Sequence, residues 1–365
     1  MQIVVIGSVL VSAECREGES GVLRVPEGIT EIARRACYRQ GFRTVVLPDS
    51  VRVIGDSAFE GCHNLHTVFF GEELREIGNR AFQGCSALTS VLLPPHLSYI
   101  GRYAFSQCEA LTEVKLPQTA VHLGAGVFYQ CSCLVRLTLP DALITVPAQL
   151  CWRCEQLRYL RLSSQLRYIE TEAFYCCYSL SNIDLPDTLC RIDGAAFGGC
   201  RSLRSITIPE SMDCIRKGAF ITQENMEFRF PHRYGVLTMH DRNVQEWAGM
   251  SVEFLRDPSV TQLNRMHKQC AKGLMIEFVE EMIWQYPEFR GYLHENGDMY
   301  GRYLVQREDI ETLTQLLETG WLSRDVLRSC LDYAIAHTQK GGSPEPQMLI
   351  MRYMQSDTPE TRFRL

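Results

Sequence analysis

Ala81-Phe82-x-x-Cys85-x-x-Leu88-x-x-Val91-x-Leu93-Pro94-x-x-Leu97-x-x-Ile100-Gly101 is one turn of a pattern that recurs through the first two thirds of the chain. Phe59, Phe82, Phe105, Phe128, Phe174, Phe197 and Phe220 fall on one lattice of period 23, and Cys151 fills its vacant slot. Three residues after each slot up to Phe197 comes a cysteine (Cys62, Cys85, Cys108, Cys131, Cys154, Cys177, Cys200). Three further on comes a leucine: Leu65, Leu88, Leu111, Leu134, Leu157, Leu180, Leu203. A fixed period of this length means a solenoid, because a single unit cannot bury its apolar face until neighbours stack on it.

Each segment of the unit has a physical reading. Leu88 to Leu93 alternates as a short strand does, and Pro94 ends it because proline cannot donate to a ladder. Ile32, Ile54, Ile77, Ile100, Leu123, Val146, Ile169, Ile192 and Ile215 form a second apolar column. Gly55, Gly78, Gly101 and Gly124 follow it, and glycine there predicts turns of positive φ. The array opens with an entry strand at Leu23 to Val25 and closes with a strand ending at Pro231. Counting strands that end at Pro26, Pro48, Gly71, Pro94, Pro117, Pro140, Ser163, Pro186, Pro209 and Pro231 gives ten.

These residues resemble the leucine-rich repeats, and within them the BspA-like class, over about residues 22–231. Leu65-x-x-Val68-x-Phe70 matches the general repeat, but the asparagine or cysteine that usually follows the strand is missing, and the cysteine here precedes it. The resemblance implies a repeat solenoid, mainly β, that recognises another macromolecule. It also brings the alternative of a surface adhesin, which requires export.

Outside the array, residues 1–21 read as an N-terminal cap and 232–365 as a small all-α domain. The run Ile3 to Val11 superficially resembles a signal peptide, yet no Lys or Arg precedes it and Gly7 interrupts it, so a capping strand or hairpin is the expectation. After Pro231, Leu263, Met266, Cys270, Leu274, Phe278 and Met282 have helical spacing within 259–285. Asp309 to Thr319, a helix capped by Ser323, and Met348 to Met354 read as further helices. Their short pairing is similar to ankyrin-type hairpins, or to a helical cap over the last strand edge.

Composition narrows the function. The 365 residues carry 37 Lys+Arg against 43 Asp+Glu, a formal charge of −6, so neither nucleic acid nor a polybasic membrane contact is expected. No stretch of 18 apolar residues exists in the sequence, so no membrane span is expected. Seven of the 16 cysteines recur one per coil, three residues after the slots, as stacked, buried, reduced thiols would. That favours a reducing compartment and a cytoplasmic location, with export or the cell surface as the alternative.

Cys151-Trp152-Arg153-Cys154 is a C-x-x-C, but both cysteines occupy lattice slots, and the histidines show no metal-ligand pairing. No metal, no cofactor and no catalysis is expected. An enzyme would need its site in 232–365, where Glu280-Glu281 and Glu308-Asp309-x-Glu311 supply carboxylates that equally suit a solvated helix face. What remains is the strand face outside the core. Val46, Phe69, Leu92, Lys115, Thr138 and Arg161 form its main row, with Arg136 and Tyr159 in the row beside it. Three apolar residues side by side, next to arginines and a tyrosine, are the composition of a contact surface for a protein partner. The candidate patch is Val46, Phe69, Leu92, Lys115, Arg136, Tyr159 and Arg161.

Overall fold

The computed structural model describes residues 1–15, 21–216, 218–221, 226–230, 235–239 and 290–355. The chain divides into two compact units, Met1–Glu253 and Phe254–Leu365. The first is a β-solenoid whose coils follow the 23-residue lattice. Its second apolar column forms nine two-residue parallel strands, from Glu31–Ile32 to Cys214–Ile215. They fall into two sheets that part between His122–Leu123 and Thr145–Val146. The strands Gln2–Ile6 and Val9–Glu14 make an antiparallel hairpin, and Leu10 of its second strand pairs in register with Ile32. The N-terminal residues thus add two strands to the first of these sheets, with Leu10 and Ala13 fully buried.

On the candidate face, Val22–Arg24, Thr44–Val46 and Thr67–Phe69 pair in parallel. So do Glu113–Lys115, Arg136–Thr138 and Tyr159–Arg161, and then Ser205–Thr207 with Met226–Phe230. The sheet is not continuous: 90–92 contributes only the bridge Ser90 to Glu113, and 182–184 forms no strand. Two of the ten expected strands are therefore corrected to extended segments. A strand not anticipated by the lattice, Gly235–Met239, turns back antiparallel on Met226–Phe230.

The lattice phenylalanines form a buried ladder. Phe82 stacks between Phe59 and Phe105, each 5.2 Å away and within 4° of parallel. The ladder resumes at Phe174, Phe197 and Phe220, with centroids 5.4 and 5.6 Å apart. Cys151 interrupts it, and one residue on, Trp152 stacks between Tyr129 (4.5 Å) and Tyr175 (6.0 Å) in a half-buried second row whose ring faces cover one another. Each fully buried large side chain contributes about 1.5–3 kcal/mol relative to exposure, and stacking adds about 0.5–1.5.

The glycine expectation needs correction. Gly55, Gly78, Gly101 and Gly124 do not have positive φ. They are small because the previous coil passes close: a Cβ on Gly101 would lie 2.6 Å from the Asn79 nitrogen, and on Gly78 2.7 Å from that of Asp56. The left-handed positions lie two residues either side of each lattice slot, and non-glycine residues hold many of them, among them Ser57, Arg80, Tyr103, Gln107, Gln130 and Arg153 (φ 56–59°).

The second unit contains α1 (Arg290–Arg307), α2 (Ile310–Thr319), α3 (Arg324–Gln339) and α4 (Glu345–Gln355). Asp309 and Ser323 cap α2 and α3 by accepting from the Thr312 and Val326 amides, and Gly320 ends α2 at φ 68°. α4 begins at Glu345 rather than Met348, since Pro346 fits a first helical turn, where its missing N–H has no partner to lose. α1 has no counterpart in the sequence reading. Its Gly297 and Gly301 lower helix propensity, but they bring α1 against Leu322 and Cys330. Tyr300, Leu304, Leu313, Leu316, Leu317, Leu327, Cys330 and Ile350 make the core. The helix expected in 259–285 lies outside the described residues, as do Glu280 and Glu281.

Candidate interaction face

The candidate face is built by alternation. The central residue of each three-residue strand points inward: Val45, Val68, Val114 and Leu137 are buried, so their neighbours point outward. Parallel register then sets equivalent residues side by side: Val46 opposite Phe69, and Lys115, Thr138 and Arg161 in one row. Of the three apolar residues expected to be exposed, Phe69 (58%) and Leu92 (89%) are. Val46 is half-buried in register with Arg24, so the apolar patch is smaller than the sequence suggests. Leu92 projects from a segment with little ladder bonding.

Further along the row the face becomes polar and indented. A depression of about 640 Å³ is lined by Arg136, Arg158, Tyr159, Arg161, Ser179, Ser181, Asn182, Asp184 and Ser202, among others. Of the sequence-derived candidates, the structure brings Arg136, Tyr159 and Arg161 together there, whereas Val46, Phe69, Leu92 and Lys115 lie outside it. The Arg136 guanidinium sits 4.5 Å from the Tyr159 ring centroid and 3.7 Å from Glu113. Arg161 donates to Asp141 at 2.8 Å. Arg158 and Lys115 are exposed and have no ion-pair partner among the described residues. Arg158, Ser179, Ser181 and Ser202 are missed by the sequence reading, which puts Asn182 beside Tyr159 in the outward row without making it a candidate. Ser179, Ser181 and Asn182, small polar residues around the buried Leu180, are the one signal that could have marked the depression.

The cysteines offer no comparable site. Each of seven lattice thiols, Cys62 to Cys200, donates to a carbonyl one coil back at 3.0–3.3 Å, that of Cys37 for Cys62 and that of the lattice-slot residue for the other six. Burial pushes Cys62 up to about 12 and Cys85, Cys108, Cys131, Cys151 and Cys177 well above the ordinary thiol range, so thiolate chemistry is suppressed. The C-x-x-C pair is fully buried, and its Cys154 hydrogen is committed to the Phe128 carbonyl. Among the described residues no group of three or more His, Cys, Asp or Glu is placed to hold a metal ion. Among them, too, no helix is long and apolar enough to cross a membrane.

Fold and face together define a solenoid repeat protein with an exposed strand surface. The chain belongs to the BspA type leucine rich repeat family, whose profile matches in 6 copies over residues 30–155 and 121–238. Among solved structures, a leucine-rich repeat protein from T. pallidum is 30% identical over 49% of this chain and 87% of its own, with a TM-score of 0.45. One from Bacteroides ovatus is 26% identical over 62% of this chain and 60% of its own, at 0.56. One from Eubacterium ventriosum is 20% identical over 61% and 87%, at 0.36. Comparison with curated proteins gives no match.

Proposed function

We propose that the chain is a non-catalytic interaction scaffold whose solenoid binds a protein through its exposed strand face. The observation that carries this reading is the depression walled by Arg136, Tyr159 and Arg161, a few coils from exposed Phe69 and Leu92. Arginine and aromatic side chains are the types most enriched at interface hot spots, and here the sheet and the Arg136–Tyr159 stack hold them in place. Neighbouring exposed apolar side chains add the desolvation that a charged site alone lacks. The test is affinity capture from a lysate of the source organism, comparing the unaltered chain with a Phe69→Asp, Arg161→Glu double variant. Both positions are exposed, so folding should survive, as circular dichroism would verify. Partners held by the unaltered chain and lost from the variant support the strand face; equal retention sinks it.

A cytoplasmic location is proposed with it, on the strength of the reduced thiol column. The discriminating thiol is Cys133, which is exposed and free, unlike the shielded lattice cysteines. Alkylation during lysis of the source cells should trap Cys133 as a free thiol, whereas its recovery in a mixed disulfide, or of the protein at the cell surface, points to export.

A further inference from the structure

The depression carries an inference about what the partner presents. Three arginines, Arg136, Arg158 and Arg161, line it against one carboxylate, Asp184. The two other carboxylates at hand, Glu113 and Asp141, lie outside the lining. Each engages one edge of a single guanidinium, at 3.7 and 2.8 Å. A guanidinium has five N–H donors, so each pairing leaves further donors on a group that lines the depression. Arg158 is not paired at all among the described residues, and serine hydroxyls supply further donors. With Glu113 and Asp141 counted, three arginines meet three carboxylates, so what the depression offers is guanidinium and hydroxyl donors, above all those of the unpaired Arg158, rather than a net charge. Guanidinium donors in that arrangement suit a carboxylate on the ligand, which can accept two of them at once.

The register sets a length. Leu92, Lys115, Thr138 and Arg161 are successive members of one row, so Leu92 and Arg161 are three coils apart. At the parallel-strand spacing this is about 14 Å, which an extended peptide covers in about four residues. We propose that the partner docks an extended acidic peptide segment across the face. Its Asp or Glu carboxylates enter the depression among Arg136, Arg158 and Arg161, and an apolar side chain about four residues away rests on Leu92 and Phe69. This rests on the strand-face reading and deepens it.

The test is selection of a phage-displayed random dodecapeptide library on the immobilised full chain, with Arg158→Glu and Phe69→Asp variants in parallel. Arg52→Glu, which leads into the Val53–Ile54 strand rather than the candidate face, is the charge-matched control. The expected result is enrichment of Asp or Glu followed or preceded at four to five positions by a large apolar residue. A fluorescein-labelled copy of a selected peptide should bind Arg158→Glu at least about tenfold more weakly, and Arg52→Glu unchanged. Its affinity should also fall steeply as NaCl rises from about 50 to about 500 mM. Peptides selected without acidic enrichment but lost on Phe69→Asp overturn this proposal and leave the strand face standing. Acidic peptides whose binding survives Arg158→Glu also overturn it. Failure to select any peptide, or selection unaffected by every variant, overturns both.

Discussion

The Cys108 sulfur lies 3.3 Å from the carbonyl oxygen of Phe82, one coil earlier, and the same carbonyl already accepts the Cys85 amide at 3.2 Å. The thiol therefore takes a second lone pair rather than rescuing an orphan, and its main contribution is volume. A thiol fits both demands: it packs as a small hydrophobe yet gives the one hydrogen that points at the preceding coil. Cys108→Ala should cost about 1–2 kcal/mol in urea denaturation, from the lost contacts and a weak hydrogen bond. Cys108→Ser should be no better, because a hydroxyl is costlier to bury than a thiol.

Reactivity should sort the thiols by burial. Among the described cysteines of the native protein a thiol reagent should modify Cys133 first, then the half-buried Cys15, Cys176, Cys190 and Cys214, while the lattice column waits for denaturant. Burial holds the Cys108 thiol in the neutral form, so raising the pH to 9 should leave Cys108 unreactive. Mass spectrometry of the modified protein reads the order; early modification of any lattice cysteine contradicts the stacked arrangement.

Within the ring ladder, Phe82 has the most to lose, since it touches Phe59 and Phe105 face to face and Phe70 edge-on at 5.8 Å. Phe82→Ala should destabilise the solenoid by about 3–5 kcal/mol, more than Phe82→Leu. Because each coil contacts only its neighbours, the loss should also split one unfolding transition into two. With Trp247, Trp284 and Trp321 replaced by phenylalanine, fluorescence reports the later coils through Trp152 alone, so its transition should separate from the far-ultraviolet signal.

The 23-residue lattice made the solenoid, its buried columns and its outward rows legible, because periodicity reports which residues must stack. It did not reveal where ladders fail, as at 90–92 and 182–184, since breaks depend on how neighbouring coils tilt. Nor did it separate two uses of glycine. Gly101 is small because Asn79 is 2.6 Å from where a Cβ would be, whereas Gly84 has φ 73°. The left-handed positions were hidden because Gln107 and Arg153 occupy them as well. Gln107→Gly, at φ 59°, should relieve about 1 kcal/mol of strain, offset by a similar gain in unfolded-chain freedom, and so be nearly neutral. Gly101→Ala should destabilise clearly, with no backbone conformation to blame. Thermal melts of the two variants distinguish the causes.

In the helical unit, Glu308 ties two junctions together: its carboxylate accepts from the Ser343 amide at 2.7 Å and lies 3.1 Å from His337 Nε2. The Ser343 amide, then the His337 ring, holds this carboxyl below its ordinary value of 4.5. Protons therefore bind more tightly to the unfolded form. The stabilisation is fully present above about pH 5 and is lost as pH falls below 4.5 through the lower, folded value. Glu308→Gln should remove that part of the acid sensitivity, so that the variant and the unaltered chain converge in stability at acid pH while the variant is weaker near neutrality. The helical signal at 222 nm, followed in melts from pH 7 to pH 3, measures the convergence. A gap between the two proteins that stays constant across that range would show that Glu308 acts through packing rather than charge.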